Sequence, residues 1–298
     1  MSAEESIGRS VVPIGVFDGV HRGHQRVLQH AVVAAKERDA RVVVVTFHPH
    51  PTAILAPKHV PPMITTLERR LDLLHRHGAD EVEVLEFTRE LSLLSADEFV
   101  ERVLVGKLSA VQIVVGRNFR FGHRASGDVD LLRKHSLAVD DVPLLTEGGT
   151  VSSTMVRDYI VHGDVEAAAS ALGRLHLVEG PVVRGDARGR ALGFPTANVA
   201  VDEVIAVPQD GVYAGWLTRA DGQRIKAAIS VGTNPTFDGV ERRVEAYAID
   251  VGHDLDLYDE HVVVEFANRL RGMERFSGVE ALIDQMHRDV DTTRTMLG

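Results

Sequence analysis

The chain has 298 residues, 44% of them hydrophobic, and a formal net charge of −10, which suits two domains of roughly 100–200 residues each. The acidic balance argues against a surface built to grip a phosphate backbone, where Lys and Arg must cluster, so no nucleic-acid partner is expected. No apolar run approaches the ~20 residues that span a bilayer, the first residues lack a basic-then-apolar leader, and cysteine is absent; these exclude disulfides, thiolate nucleophiles and Cys-ligated metals, and point to a cytoplasmic protein with no membrane partner.

The first half alternates strand and helix signals. Val11 to Phe17 reads as a short apolar strand ending in Asp18-Gly19, and His24 to Arg38 as a helix with Val27, Leu28, Ala31, Val32 and Ala35 at helical spacing. Arg41 to Phe47 is a β-branched run of the kind buried on both faces of a parallel sheet. A helix over Thr66 to His77, a strand over Val82 to Phe87, a helix over Ala96 to Leu108 and a strand over Val111 to Val115 follow. The alternation predicts a doubly wound α/β parallel sheet, whose ligands sit at the carboxyl ends of the strands. Helix signals at Ser153–Val161 and Val165–Leu172 close this half.

From Val178 onward the apolar segments are short and separated by Gly, Pro or Asp-Gly. Gly211–Leu217, the Asp221-Gly222 turn and Ala227–Val231 read as a hairpin. Val244–Asp250 and His261–Phe266 are further strands, and Val279–Leu297 is a helix with Leu282, Ile283, Met286 and Val290 on one face. The expectation is a small antiparallel β-barrel with a C-terminal helix across it, and domains at 1–173 and 174–298.

Between the first strand and first helix lies Gly15-Val16-Phe17-Asp18-Gly19-Val20-His21-Arg22-Gly23-His24. Glycines admit a ligand close to the backbone, and a helix N-terminus offers free amides to phosphate. His21 and His24, straddling Gly23, can both donate hydrogen bonds to one phosphate; a tight turn with incidental histidines, or a metal pair, are the bland readings. Ser152-Ser153-Thr154-Met155-Val156-Arg157 is a hydroxyl-rich helix cap followed one turn later by a cation, which suits terminal phosphates. Isolated histidines (His30, His75, His77, His162, His287) are expected to be solvated or structural.

The His-x-Gly-His turn resembles the nucleotidyltransferase superfamily, with Ser152–Arg157 matching its second motif. The longer run is similar to the adenylyltransferase half of prokaryotic bifunctional riboflavin kinase/FMN adenylyltransferases, the FAD synthetases. That resemblance implies ATP binding at Gly15, Phe17, Asp18, Gly19, Ser152, Ser153, Thr154 and Arg157, with His21 and His24 catalytic. Thr46-Phe47-His48-Pro49-His50-Pro51 and Gly116-Arg117-Asn118 resemble further family segments, which imply FMN contacts from His50 and Asn118; His48 departs from the family's acid.

In the second half, Gly185 to Asn198 is a glycine-spaced loop entering a strand, with Thr196 and Asn198 as hard oxygen ligands for Mg²⁺. Pro-Thr-Ala-Asn here resembles riboflavin kinases, as do Gly232–Phe237 and Val244-Glu245. The resemblance makes Glu245 the catalytic base, places ATP against Gly185, Gly189, Gly193 and Pro195, and sets Arg271 and Phe276 beside the flavin. Tyr247 and Asp259 depart from the usual His and Gly. The implied activity is riboflavin phosphorylation to FMN and FMN adenylylation to FAD, with ATP, Mg²⁺ and flavins as small-molecule substrates and cofactors; a homo-oligomer is left open. Rival readings are another nucleotidyltransferase with an appended barrel, and a non-catalytic flavin- or nucleic-acid-binding module.

Overall fold

The computed structural model describes residues 8–146, 150–185, 192–236, 239–251 and 256–298, with backbone alone for 233–236 and 239–241. Packing divides the chain into two compact units: Met1–Pro61 with Thr65–Ser153, and Pro62–Ile64 with Thr154–Gly298.

The first unit is a five-stranded parallel sheet in the order β3-β2-β1-β4-β5. Its strands are β1 (Ser10–Pro13), β2 (Arg41–His48), β3 (Glu81–Glu86), β4 (Ala110–Gly116) and β5 (Ala138–Val142). Alternate residues feed opposite faces: Val11, Val42, Val44 and Val114 join one apolar cluster, and Val12, Val43, Val45, Ile113 and Val115 the other. Both faces are therefore covered, which is why these strands read as unbroken apolar runs. Helix α1 (Arg22–Arg38) packs Leu28 and Ala31 on the first face; the segment Ala96–Lys107 packs Phe99, Val100 and Leu104 on the second.

Helix α3 (Leu67–Arg76) adds Leu73 and Leu74 to the first cluster, whereas α4 (Arg89–Leu93), α5 (Ala96–Phe99) and α6 (Val129–Lys134) pack Leu91, Ala96 and Leu132 on the second; the short helix α2 (Pro51–Leu55) follows β2. Sequence periodicity predicts one helix from Ala96 to Leu108, yet α5 widens into a π-helix over Val100–Lys107. Gly106 permits it: a Cβ there would lie 2.9 Å from the Glu101 carbonyl oxygen. Strand β5 carries no clear periodicity because, as an edge strand, it holds Asp140 and Asp141. Their charges meet His30 at 2.8 Å and Arg133 at 3.4 Å.

The second unit is a closed barrel in the order β10-β7-β6-β11-β8-β9, with every recorded pairing antiparallel. Its strands are β6 (His176–Val183), β7 (Ala197–Val199), β8 (Gly211–Thr218), β9 (Arg224–Thr236), β10 (Gly239–Ala248) and β11 (His261–Arg271). Val199, Tyr213, Ile229, Val244, Ala246, Val264 and Phe266 fill the interior. Asp221-Gly222 closes the β8–β9 hairpin as expected.

Helices α7 (Ser153–Val161) and α8 (Val165–Leu172) precede the barrel, and α9 (Val279–Met296) packs across β8, β9 and β11. Composition places a boundary near Gly173, whereas packing divides the chain between Ser153 and Thr154. The reason lies in α8, whose Val165 belongs to the barrel's core cluster.

Candidate active sites

The order β3-β2-β1-β4-β5 reverses direction between β1 and β4, the switch point where doubly wound sheets bind ligands. A cavity of about 260 Å³ opens there, and its walls include Gly15, Phe17, His21, His24, Gly116, Asn118, Ser152 and Ser153. Residues from three sequence-distant motifs thus converge on one space. Its volume lies just below the ~300 Å³ lower end of ordinary ligand pockets, enough for part of a nucleotide.

The turn after β1 is backbone-strained. Phe17 (φ 53°), Gly19 (φ 78°) and Val20 (φ 40°) all lie in the left-handed region, where a β-branched residue such as valine is an outlier. Such strain persists only when surrounding contacts over-determine it. Here Asp18, buried, accepts from the Thr65 backbone N–H (3.2 Å) and hydroxyl (3.4 Å), while Gly19 N–H donates to the Thr65 hydroxyl at 3.3 Å. Ser153, at the start of α7, donates to the Asp18 carbonyl at 3.0 Å. Asp18 and Gly19 thus hold the turn from beneath rather than line the cavity.

His21 caps α1: its Nδ1 accepts from the His24 backbone N–H at 3.3 Å. An accepting Nδ1 carries no hydrogen, so the neutral ring keeps its proton on Nε2, ready to donate. The His21 and His24 rings stack, 3.6 Å between centroids at 19°, and Phe17 packs edge-on against His24 at 5.0 Å. A Cβ on Gly23 would lie 3.0 Å from the His21 ring, a tight contact that would press on the stacked pair.

His50 caps α2 by accepting from Thr52 N–H at 3.2 Å and is not among the residues of the cavity wall. Thr154 and Arg157 belong to the second unit, where Arg157 Nε donates to the Pro62 carbonyl at 2.8 Å.

In the barrel, Glu245 on β10 stands directly opposite Asn198 on β7. Their neighbours Val244, Ala246, Ala197 and Val199 are buried, so strand alternation turns Glu245 and Asn198 to the outer face. The Thr196 hydroxyl donates to Glu245 Oε2 at 3.1 Å. A Cβ on Gly185 would lie 2.4 Å from the Asn198 amide nitrogen, so only glycine admits that carboxamide. Gly185 and Asn198 also line a cavity of about 710 Å³ with Arg184, Glu203 and Arg243.

Gly189 lies outside the described residues. Gly193 (φ 87°) and Pro195 flank Phe194, which is buried against Tyr247 and His287, 5.2 and 5.0 Å between ring centroids. Arg271 pairs with Asp289 of α9 through Nε (3.1 Å) and a terminal nitrogen (2.7 Å), and its guanidinium carbon stands 5.7 Å from the Phe276 ring. Arg271 therefore fastens α9 as well as approaching Phe276.

Sequence reasoning passed over Thr65, Asp289 and Arg70. The signal for Arg70 is its place in α3, three and four residues before Leu73 and Leu74, on the apolar side. It is 2% exposed; one terminal nitrogen donates to the Val16 carbonyl at 2.8 Å and the other to the Phe47 carbonyl at 3.2 Å. Burial pulls its pKa below the usual arginine value, and the Asp18 carboxylate opposes that shift.

A histidine-bearing turn at the switch point of a parallel sheet, joined to a six-stranded barrel with a Thr-Asn-Glu cluster, marks a nucleotide-using transferase with two catalytic modules. Residues 3–155 match the FAD synthetase family model and residues 172–297 the riboflavin kinase model. The bifunctional riboflavin kinase/FMN adenylyltransferase of Escherichia coli K12 is 34% identical over 97% of this chain and 93% of its own. That of Bacillus subtilis is 33% identical over 96% and 92%. A crystal structure from Streptococcus pneumoniae, described as a macrolide-efflux protein, superposes with a TM-score of 0.90 at 36% identity, covering 96% of this chain and 94% of that one. Among the described residues no helix is long and apolar enough to cross a membrane. The chain belongs to the bifunctional riboflavin kinase/FMN adenylyltransferase family. It makes FMN from riboflavin and FAD from FMN, using ATP for both steps.

Proposed function

We propose that the switch-point cavity performs the adenylyl transfer and that the Thr196–Asn198–Glu245 cluster performs the phosphoryl transfer, in modules spanning 1–173 and 174–298. The observation that carries the first assignment is the gathering of Gly15, Phe17, His21, His24, Asn118, Ser152 and Ser153 around one space. An FMN phosphate oxygen attacks the α-phosphorus of ATP, the bond to the β-phosphate oxygen breaks, and pyrophosphate leaves. His21 and His24 donate to the α-phosphate oxygens as charge builds there, in the manner of oxyanion-hole donors. Ser152, Ser153, Thr154 and Arg157 take the outgoing phosphates, and Asn118 and His50 hold FMN.

In the kinase module the riboflavin 5′-hydroxyl attacks the γ-phosphorus, ADP leaves, and Glu245 accepts the hydroxyl proton. Gly185, Gly189, Gly193 and Pro195 shape the loop over ATP, and Arg271 and Phe276 border the flavin. The donor set fits Mg²⁺: Thr196, by donating its hydrogen to Glu245, keeps oxygen lone pairs free, and Asn198 adds an amide oxygen. The described residues contain no cluster of His, Cys, Asp or Glu that could hold a metal alone, as suits an ion held partly by substrate phosphates. When bound, Mg²⁺ neutralises charge on the transferring phosphates.

The composition supports a cytoplasmic protein without a nucleic-acid partner. The test is turnover of riboflavin, ATP and Mg²⁺ with chromatographic separation of FMN and FAD. His24→Ala should accumulate FMN without FAD; a normal FAD yield would move the adenylyl-transfer site elsewhere.

A further inference from the structure

We infer that Arg70 is a positioning residue for adenylyl transfer, a buried cation that sets the spacing of the two strand ends carrying the phosphate turn and the His48–Pro51 loop. This rests on the reading that the turn after β1 is where ATP reacts.

The geometry is specific. Arg70 lies in α3, more than 50 residues along the chain from Val16, and its two terminal nitrogens reach carbonyls of different strand ends, Val16 after β1 and Phe47 at the end of β2. Thr46 adds a third bond, its hydroxyl donating to the same Val16 carbonyl at 2.9 Å. Immediately downstream of Val16 come the left-handed residues Phe17, Gly19 and Val20, and then His21. Thr65, just ahead of α3, fixes Asp18 and Gly19. One short segment, Thr65 to Arg70, thus braces the strained turn from below, with the Arg70 guanidinium on the Val16 carbonyl.

The energetics argue that this arginine serves more than folding. Its Nε is buried without a hydrogen-bond partner, and burial disfavours its charged form. A whole buried ion pair often contributes little net stability beside apolar residues of similar volume, although removing one partner alone leaves the other group's polar atoms short of a donor. A planar fork, however, can bridge two carbonyls where an ammonium or thioether cannot. Loss of the bridge lets the strand ends drift, and a misplacement of about 1 Å costs on the order of 10²-fold in rate.

The experiment uses the full chain and compares Arg70→Met and Arg70→Lys with wild type, reading kcat and KM for FMN adenylylation, FMN formation from riboflavin, and the thermal melt. We expect Arg70→Met to fold, to form FMN normally and to lose roughly 10- to 100-fold in adenylylation kcat with little change in KM for FMN. Arg70→Lys, whose ammonium cannot bridge the Val16 and Phe47 carbonyls, should recover only part of that loss and stay below wild type. A folded Arg70→Met, or an Arg70→Lys, with wild-type adenylylation kcat overturns the proposal. If Arg70→Met does not fold, Arg70→Gln replaces it under the same criteria. His24→Ala is run in parallel: normal FAD formation there defeats the site assignment itself, whereas a crippled His24→Ala beside an active Arg70→Met defeats only the role of Arg70.

Discussion

Thr196 and Glu245 are joined by a hydrogen bond of 3.1 Å, the hydroxyl donating to Oε2. The bond orients the carboxylate that we propose takes the proton of the substrate hydroxyl. Glu245→Gln keeps the shape and one acceptor but cannot take a proton. Its FMN production should fall by about 10²–10⁴-fold, while adenylylation of supplied FMN is unchanged. Near-normal phosphorylation of riboflavin by this variant would remove Glu245 as the base.

His21→Ala and His24→Ala should each reduce FAD formation by roughly 10²–10³-fold, the usual cost of one transition-state donor, and leave FMN formation intact. His21→Ala should also lower stability by about 1 kcal/mol, because α1 loses its cap. Parallel loss of both activities in flavin chromatography would show that the pair holds the fold instead.

Gly185→Ala places a methyl 2.4 Å from the Asn198 amide nitrogen. The carboxamide must move, so kinase turnover should fall about 10- to 100-fold and the apparent Mg²⁺ requirement should rise, with adenylylation unaffected. A Mg²⁺ titration of FMN formation decides; an unchanged curve would separate Asn198 from the metal.

His176 is fully buried in the barrel, its Nε2 2.9 Å from the Ala206 carbonyl oxygen, and burial pushes its pKa down to about 4. The folded state keeps it neutral while the unfolded chain protonates near pH 6.5. Stability from this group is therefore complete above pH 6.5 and is lost as pH falls from 6.5 toward 4, by at most about 3 kcal/mol. Urea midpoints of the barrel at pH 7.5 and 4.5 should differ more for wild type than for His176→Gln. An equal pH dependence in both would assign the acid sensitivity to carboxylates.

A fragment from Arg174 to Gly298 should keep kinase activity but melt below one from Thr154 to Gly298. The shorter piece lacks α8, and with it the buried side chains Val165, Ala168, Ala171 and Leu172. It also lacks Glu166, whose carboxylate accepts from the Asn268 side chain and the Arg269 backbone, each at 3.2 Å. Burial of Val165 and Leu172 alone stabilises by roughly 3–5 kcal/mol, or ~10 °C and more in Tm. Equal melting temperatures would make residue 174 the true start of the folding unit.

Local pattern alone is enough to read which strands are buried on both faces, where the glycine- and histidine-bearing turn after β1 lies, and that a hairpin-rich barrel follows a parallel sheet. Those properties are local: Val42 to Val45 need only be an apolar β-branched run, and His21 with His24 need only three residues of separation beside a helix start. The expected helices at Ser153–Val161 and Val165–Leu172 match the observed bounds for the same reason. Pairings between distant residues emerge only in the folded chain. Nothing local marks Arg70 as the clamp on Val16 and Phe47, or turns Asp18 toward Thr65 and away from the cavity. Nor does the sequence show that Arg271 meets Asp289, or that Gly106 admits the Glu101 carbonyl and widens a helix. Each depends on how close two backbones come, a distance set by side-chain volumes contributed from elsewhere in the chain.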